Sequence, residues 1–580
     1  MAMRRGVALV LVLIAVAIVL SIGAVGTVFL VMGREPGVAA NSTLVLRIGG
    51  DLAEAEPGGV FNQFIESPPT VRATVEALRK AKVDRRVAGV VLVPAGANGL
   101  WGKLQELREA VVDFKTSKKP IVAYLEYGGE QEYYLASACD KVFLMPASPL
   151  DLSGLATYEL FLRGAFDKIG AYPDMLHIGD YKTAANTFTE RTYTPAHREM
   201  AESLTTDLYE QLVRGIAEGR RKSAAEVRAI VDRGPLLPED AVRLGLVDDV
   251  AYEDQIDDKV SFGGQRMKRL DNDQYRHVPA ASLGIDRGPK IAVIYAEGTI
   301  ASGRSTSDLG SPVVGSETII EYIRKARADE TIKAIVLRVD SPGGSAIASD
   351  VIWRELMISR PSKPIISSMS DLAASGGYYI AMPAHAIVAQ PGTLTGSIGV
   401  VMGKFALGGT FEKLGLNMEA TSRGQYAQIY SPDRPFTPEE RAKVEEQMQA
   451  TYDLFVEKAA QARRTTPEKI DAIAQGRVWT GSQAKRLGLV DELGGLQRAV
   501  ALAKQHAKID PATEVQLVVY PPKRSFYELV AEPFGEGASA SALLSLVHPM
   551  ERRAMLQLAT PLRLFRSGEP LALMPNVFLR

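Results

Sequence analysis

Two tandem α/β domains with mainly parallel sheets, preceded by one transmembrane helix, are the fold class that the sequence predicts. Three observations predict it. The chain repeats itself once at a shift of about 245 residues. Each copy alternates short β-branched runs with amphipathic stretches. A long uncharged apolar run opens the chain.

The repeat is collinear over most of the chain. Val87-Ala-Gly-Val-Val-Leu-Val resembles Ile332-Lys-Ala-Ile-Val-Leu-Arg, and a glycine-bearing loop follows each: Ala95-Gly-Ala-Asn-Gly99 and Asp340-Ser-Pro-Gly-Gly344. Lys119-Pro120-Ile121 answers Lys363-Pro364-Ile365, Tyr133-Tyr134 answers Tyr378-Tyr379, and Pro146 answers Pro391. Gly179-Asp-Tyr-Lys182 falls on Gly424-Gln-Tyr-Ala427, and Arg243-Leu-Gly-Leu-Val-Asp248 recurs as Arg486-Leu-Gly-Leu-Val-Asp491. So long a collinear path reads as two copies of one domain.

Within each copy, Ile291-Ala-Val-Ile-Tyr and Ala334-Ile-Val-Leu-Arg-Val read as buried strands, while 347–358 and 438–463 carry helical periodicity. Strands separated by helices imply crossover units and a sheet covered on both faces. The copies are expected over 43–280 and 281–520. A tail follows over 521–580, in which residues 543–564 are apolar enough for a helix packed on its own domain, a partner or a membrane.

At the other end, Arg4 and Arg5 precede an uncharged apolar run over 7–32. About 20 such residues cross a bilayer as a helix, and a cleaved secretory signal has a shorter apolar core. The expectation is an uncleaved anchor, with residues 1–6 in the cytoplasm and the body outside it.

Composition excludes several function classes. The chain has 67 basic and 68 acidic residues, so no basic footprint for nucleic acid stands out. One cysteine, Cys139, rules out an internal disulfide and a cysteine-built metal site. The six histidines are scattered without metal-ligand spacing, and neither metal nor cofactor is expected.

Two corners carry candidate chemistry. Asp340-Ser-Pro-Gly-Gly344 ends a strand and opens a helix, which presents backbone N–H groups where negative charge is favoured and suits a developing oxyanion. Taken alone it is also an ordinary turn. Ala373-Ala374-Ser375-Gly376-Gly377 is a second strand-to-helix corner, where small neighbours leave one serine approachable. A serine there also serves as a helix cap. His385 heads a strand and reads as a loop residue, so lysine is the other general base on offer. It must then be buried in apolar surroundings to lose its proton near pH 7. Lys182 sits in a lightly charged segment. The repeat links the two candidates: Ser375 aligns with Glu130, and Lys182 aligns with Ala427. Each copy keeps one member of the pair and lacks the other, which points to one site assembled where the copies meet.

With Thr395-Gly-Ser-Ile-Gly399 added, these motifs resemble the long, duplicated form of signal peptide peptidase A, the serine peptidases of family S49 on a ClpP/crotonase-like fold. The resemblance covers roughly residues 43–500 and the anchor. It implies Ser375 as nucleophile, Lys182 as general base, the Gly344 and Gly376 amides as oxyanion hole, and Ser397 as the hydroxyl that orients the lysine amine. It further implies cleavage of leftover signal peptides and other unfolded apolar segments by a homotetramer on the periplasmic side of a bacterial inner membrane. Crotonase-like acyl-CoA chemistry and a non-catalytic membrane-tethered scaffold are the alternatives. Retention of the serine, the lysine and both glycine loops argues against the scaffold.

Overall fold

The computed structural model describes residues 37–54, 70–260, 268–308, 311–522, 570–574 and 578–579. The expected anchor over 7–32 and the apolar stretch 543–564 lie outside the described residues. Among those described, no helix is long and apolar enough to cross a membrane.

The first copy builds a parallel sheet from β1 (Ser42–Asp51), β2 (Val87–Asn98), β3 (Ile121–Leu125) and β4 (Lys141–Leu144), paired in the order β4-β3-β2-β1. Short strands at 249–250 and Lys268–Asp271 extend it on either side. Buried strands of this kind are apolar along nearly their whole length, because helices cover both faces; all five residues of β3 are buried. A fifth strand, β5 (Tyr172–Ile178), leaves this sheet altogether. The principal helices are α1 (Val71–Val83), α2 (Trp101–Lys115), α3 (Glu130–Ala136) and α4 (Pro195–Arg220).

The second copy repeats the plan. β6 (Lys290–Glu297), β7 (Ile332–Ser341) and β9 (Ile365–Ala374) are parallel neighbours in an eight-stranded sheet, with β8 (Gly343–Ser345) lying in another sheet. Helices α5 (Ser316–Ala328), α6 (Ala346–Ser359), α7 (Gly376–Ala381) and α8 (Pro438–Arg463) follow in order. The duplication is visible in detail. Helices α1 and α5 each have 13 residues, and α4 and α8 each have 26. A threonine caps the start of both long helices, with proline next, and an arginine in the left-handed region ends them (Arg221 φ 54°, Arg464 φ 53°). The buried hydroxyls of Tyr133 and Tyr378 donate to the carbonyls of Leu246 and Leu489.

The symmetry breaks at β5. It pairs antiparallel with β10 (Val400–Ala406) of the second copy, Ile178 opposite Val400 and Tyr172 opposite Ala406. The counterpart of β5 in the second copy, residues 417–423, is exposed and forms no strand. The tail also enters the fold: β11 (Leu571–Leu573) inserts antiparallel between β8 and β10 in a mixed sheet.

Candidate active site

The donated strand explains how two residues 193 positions apart meet. Past Ile178 the chain turns, the Lys182 N–H donating to the Gly179 carbonyl at 3.0 Å and the Tyr181 N–H to the Gln475 carbonyl at 2.8 Å, and the Lys182 side chain reaches Ser397, the neighbour of Gly396. The carbonyl of Gly396 accepts from the Ser375 N–H at 2.8 Å, so the serine corner is pinned to the same spot. The Nζ of Lys182 lies 2.7 Å from the Oγ of Ser375. It donates to the carbonyl oxygen of Ser397 at 2.8 Å and contacts the Ser397 Oγ at 3.0 Å.

Ser375 connects β9 to α7 with φ 55° and ψ −112°, and its side chain does not cap the helix. A residue other than glycine in that region carries strain that surrounding structure must hold. The corner turns the hydroxyl away from the helix it begins and toward Lys182. Small residues on the next turn let the glycine loop close against it. A Cβ on Gly377 would stand 2.6 Å from the Ser341 carbonyl oxygen, and one on Gly343 would stand 2.8 Å from the Gly376 nitrogen. The same construction on Gly376 falls 3.2 Å from the Gly344 nitrogen. The two amides expected to hold an oxyanion are thus packed side by side, next to the serine.

Electrostatics at the lysine are simple. Lys182 and Ser375 are both fully buried. Burial alone holds the Lys182 amine well below the ordinary lysine range, with no carboxylate opposing it. An amine that gives up its proton more readily, within hydrogen-bond reach of a hydroxyl, has the chemistry a general base needs. His385 is engaged elsewhere: its Nδ1 accepts from the Ile365 N–H at 3.0 Å.

Both copies match the description of peptidase family S49, over residues 113–262 and 358–510. The chain belongs to that family. The serine protease SPPA of Arabidopsis thaliana chloroplasts is 38% identical over 488 residues, covering 83% of this chain and 71% of its own. Protease 4 of Salmonella typhi is 36% identical over 451 residues (75% and 72%), and that of Haemophilus influenzae 31% over 465 residues (76% and 74%). This S49 peptidase is therefore a serine protease. Among solved structures, a ClpP1 mutant from Listeria monocytogenes overlays 36% of the chain and 94% of its own at 13% identity with a TM-score of 0.24. A score that low adds nothing to the strand orders above.

Reading the motifs of this S49 peptidase missed three features. The lysine stem runs through a slot between glycines: a Cβ on Gly476 (φ 75°) would fall 2.5 Å from the Lys182 backbone, and one on Gly399 falls 3.0 Å from its Cδ. Gly399 belongs to the Thr395–Gly399 motif, but Gly476 stands in Gln475-Gly-Arg477, an unremarkable sequence. The second feature is β11, which pairs Leu573 with Gly343, Ala572 with Gly344 and Leu571 with Ser345. Met574 donates to the Pro342 carbonyl at 2.9 Å. The segment buries Leu571 against Met175, Val401 and Phe405, and Met574 against Ala374 and Leu394. Glycine at 343, with φ 101°, lets this strand approach, since a Cβ there would meet the Ala572 oxygen at 1.9 Å. The third is an ionic cluster behind the loop, where Lys103 of the first copy pairs with Asp340 of the second.

Among the described residues, no group of three or more histidine, cysteine, aspartate or glutamate side chains is arranged to hold a metal ion.

Proposed function

We propose that this protease works through a Ser375–Lys182 dyad. One observation carries the reading: a fully buried lysine amine, without a counter-charge, 2.7 Å from a serine hydroxyl on a strained corner. Lys182 takes the hydroxyl proton as Ser375 Oγ attacks the scissile carbonyl. Once a substrate strand takes the place of β11, whose Ala572 pairs with Gly344, the oxyanion forms beside the Gly344 and Gly376 N–H groups. The Lys182 ammonium then gives its proton to the departing amine. In the second half, the amine accepts a proton from water as its oxygen attacks the ester carbonyl, and the ammonium returns that proton to Ser375 Oγ as the acid product leaves. Ser397 holds Nζ in line through its carbonyl and hydroxyl, the orienting role expected of it.

The substrate is an extended apolar peptide that adds as a strand at the edge of β8, where main-chain hydrogen bonds supply affinity and pockets supply selection. Support comes from the protein's own segment: the apolar Leu571–Leu573 strand pairs with the glycine loop at that edge. Cleaved signal peptides fit this chemistry. The apolar run at 7–32 supports a membrane anchor with the body on the periplasmic side, and a homotetramer is the expected assembly. Labelling with a fluorophosphonate tests the dyad. Ser375 should carry the adduct, at a rate that collapses in Lys182→Ala; an adduct on another residue would displace the reading.

A further inference from the structure

A second lysine of the first copy reaches into the second copy behind the glycine loop. Lys103, near the start of α2, is 7% exposed. Its Nζ lies 2.7 Å from Asp340 Oδ2 and 3.9 Å from Asp371 Oδ2. Asp340 is the residue immediately before Ser341-Pro-Gly-Gly, and its other oxygen accepts from the Leu372 N–H at 3.0 Å. Leu372 stands on β9 three residues before Ser375. Asp371, the neighbour of Leu372, caps α2 from the other copy: its carboxylate accepts from the N–H groups of Leu100 at 2.8 Å and Lys103 at 2.7 Å. Gly102 permits this approach, because a Cβ there would meet the Ser370 carbonyl at 2.7 Å.

The pattern of loss between the copies is the same as for Ser375 and Lys182. Helices α2 and α6 are repeat counterparts, and the position of Lys103 in α6 is Ala348. The position of Asp340 in the first copy is Ala95. Each copy again holds one partner of a cross-copy pair. The cluster is charged but closed: Lys103 also faces Glu54 and Glu297, and burial among these carboxylates lifts Glu297 to about 7 and Asp371 to about 6. Lys103 is the cation between the two aspartates, while Arg338 pairs with Glu54 and Glu106 on the adjoining side.

We infer that Lys103 is a positioning residue for the peptidase reaction: by tying Asp340 to Asp371 it holds the Gly343–Gly344 loop in line with the Ser375 hydroxyl. This rests on the dyad reading. Without the tie, the segment shifts by a fraction of an ångström, which takes its N–H groups out of line with the oxyanion but is too small to unpair a substrate strand from β8. The loss therefore falls on the chemical step.

The test uses the full-length protein, a fluorogenic apolar peptide and a peptide aldehyde, whose tetrahedral adduct needs the same N–H groups. Lys103→Met should lower kcat by about 10- to 100-fold, the scale of a small misplacement in an active site. KM should stay within about twofold, and the aldehyde should bind weaker by the same factor as kcat falls. Because Lys103→Met strands the two buried aspartates, a triple variant, Lys103→Met with Asp340→Asn and Asp371→Asn, removes their charges, keeps an acceptor for the Leu372 N–H and keeps one for either the Leu100 or the Lys103 backbone N–H that Asp371 serves. Positioning predicts that the triple variant folds and keeps the kcat and aldehyde defects. Wild-type kcat and aldehyde affinity in the triple variant would overturn it, since charge compensation would then be the whole role of Lys103. The dyad reading fails separately, by absence of a Ser375 fluorophosphonate adduct in the unsubstituted protein, and the positioning role would fall with it.

Discussion

Lys182 Nζ and Ser375 Oγ are 2.7 Å apart although one belongs to each copy of the duplicated domain. The contact exists because β5 crosses into the sheet of the other copy. Its counterpart at 417–423 stays outside any sheet, and Ala427 in the position of Lys182 is exposed. On the proposed dyad, one copy has given up its strand partner and its base and the other its nucleophile, which leaves one site per chain.

Removing either member of the dyad should have nearly the same effect. Ser375→Ala is expected to cost about 10,000-fold or more in peptide hydrolysis, with the fold intact because only one hydroxyl is lost. Lys182→Ala and Lys182→Arg should match it, since an arginine keeps its proton and cannot serve as base. The double variant Ser375→Ala/Lys182→Ala should be scarcely worse than either single one. Steady-state kinetics on one fluorogenic peptide checks all four, and strict additivity would separate the two residues into independent roles.

The buried lysine should also be a stability cost with a definite pH sign. In the unfolded chain a lysine keeps its proton up to about pH 10.4, whereas burial favours the neutral amine in the folded protein. Between the folded and unfolded values the unfolded state binds more protons, so the contribution of Lys182 to stability improves as pH rises toward 10.4. Lys182→Met should therefore melt above the unsubstituted protein near pH 6, with a gap that narrows by pH 9 to 10. Thermal denaturation across that range measures it, and a gap that widens with pH would contradict a neutral buried amine.

Gly476 and Gly488 offer a matched pair. Both have φ near 75°, so alanine at either costs about 1–2 kcal/mol of backbone strain. A Cβ on Gly488 has nothing within 4 Å, while on Gly476 it collides with the Lys182 backbone at 2.5 Å. Gly488→Ala should lose a few degrees of melting temperature and keep its activity. Gly476→Ala should also lose about 100-fold in kcat, the effect of pushing the amine off line. Equal activities in the two variants would mean that the slot does not set the position of Lys182.

How far these features could be read from sequence depends on whether each is local. The repeat, the helix over 438–463 and the strands at 291–295 and 334–339 follow from periodicity and internal likeness, and the structure has elements at those places. Ser375 and the glycine loops stand out because small residues at a strand-to-helix corner are a local signal. The crossing of β5 is not local: its residues read as a strand in either sheet, and only the exposed 417–423 shows which pairing was lost. Lys103 was hidden for a related reason. It lies in Trp101-Gly-Lys-Leu-Gln-Glu-Leu-Arg, where charged residues between leucines look like the solvent face of an amphipathic helix. The second copy covers that face, burying Lys103, Gln105 and Glu106. The tail escaped because 521–580 has no repeat counterpart, so nothing in the first copy marked Leu571–Leu573 as a strand.

That strand makes the substrate edge testable with the protein's own sequence. β11 pairs antiparallel with Gly343–Ser345 and places apolar side chains at 571, 573 and 574 in buried sites. A substrate strand that uses the same edge must compete with it. Ending the chain after Gly568 should therefore raise kcat/KM for an apolar peptide severalfold, mostly through KM, because the displacement step disappears. The six-residue peptide Glu-Pro-Leu-Ala-Leu-Met, copied from 569–574, should inhibit the shortened protein competitively and the full chain more weakly. Replacing its first leucine with aspartate should abolish inhibition, since a carboxylate would enter the apolar site lined by Met175, Val401 and Phe405. Circular dichroism and melting of the shortened protein separate an opened groove from a lost sheet strand. If that protein stays folded and the peptide fails to compete, substrate does not bind at the β8 edge, and the groove must be sought on another side of Ser375.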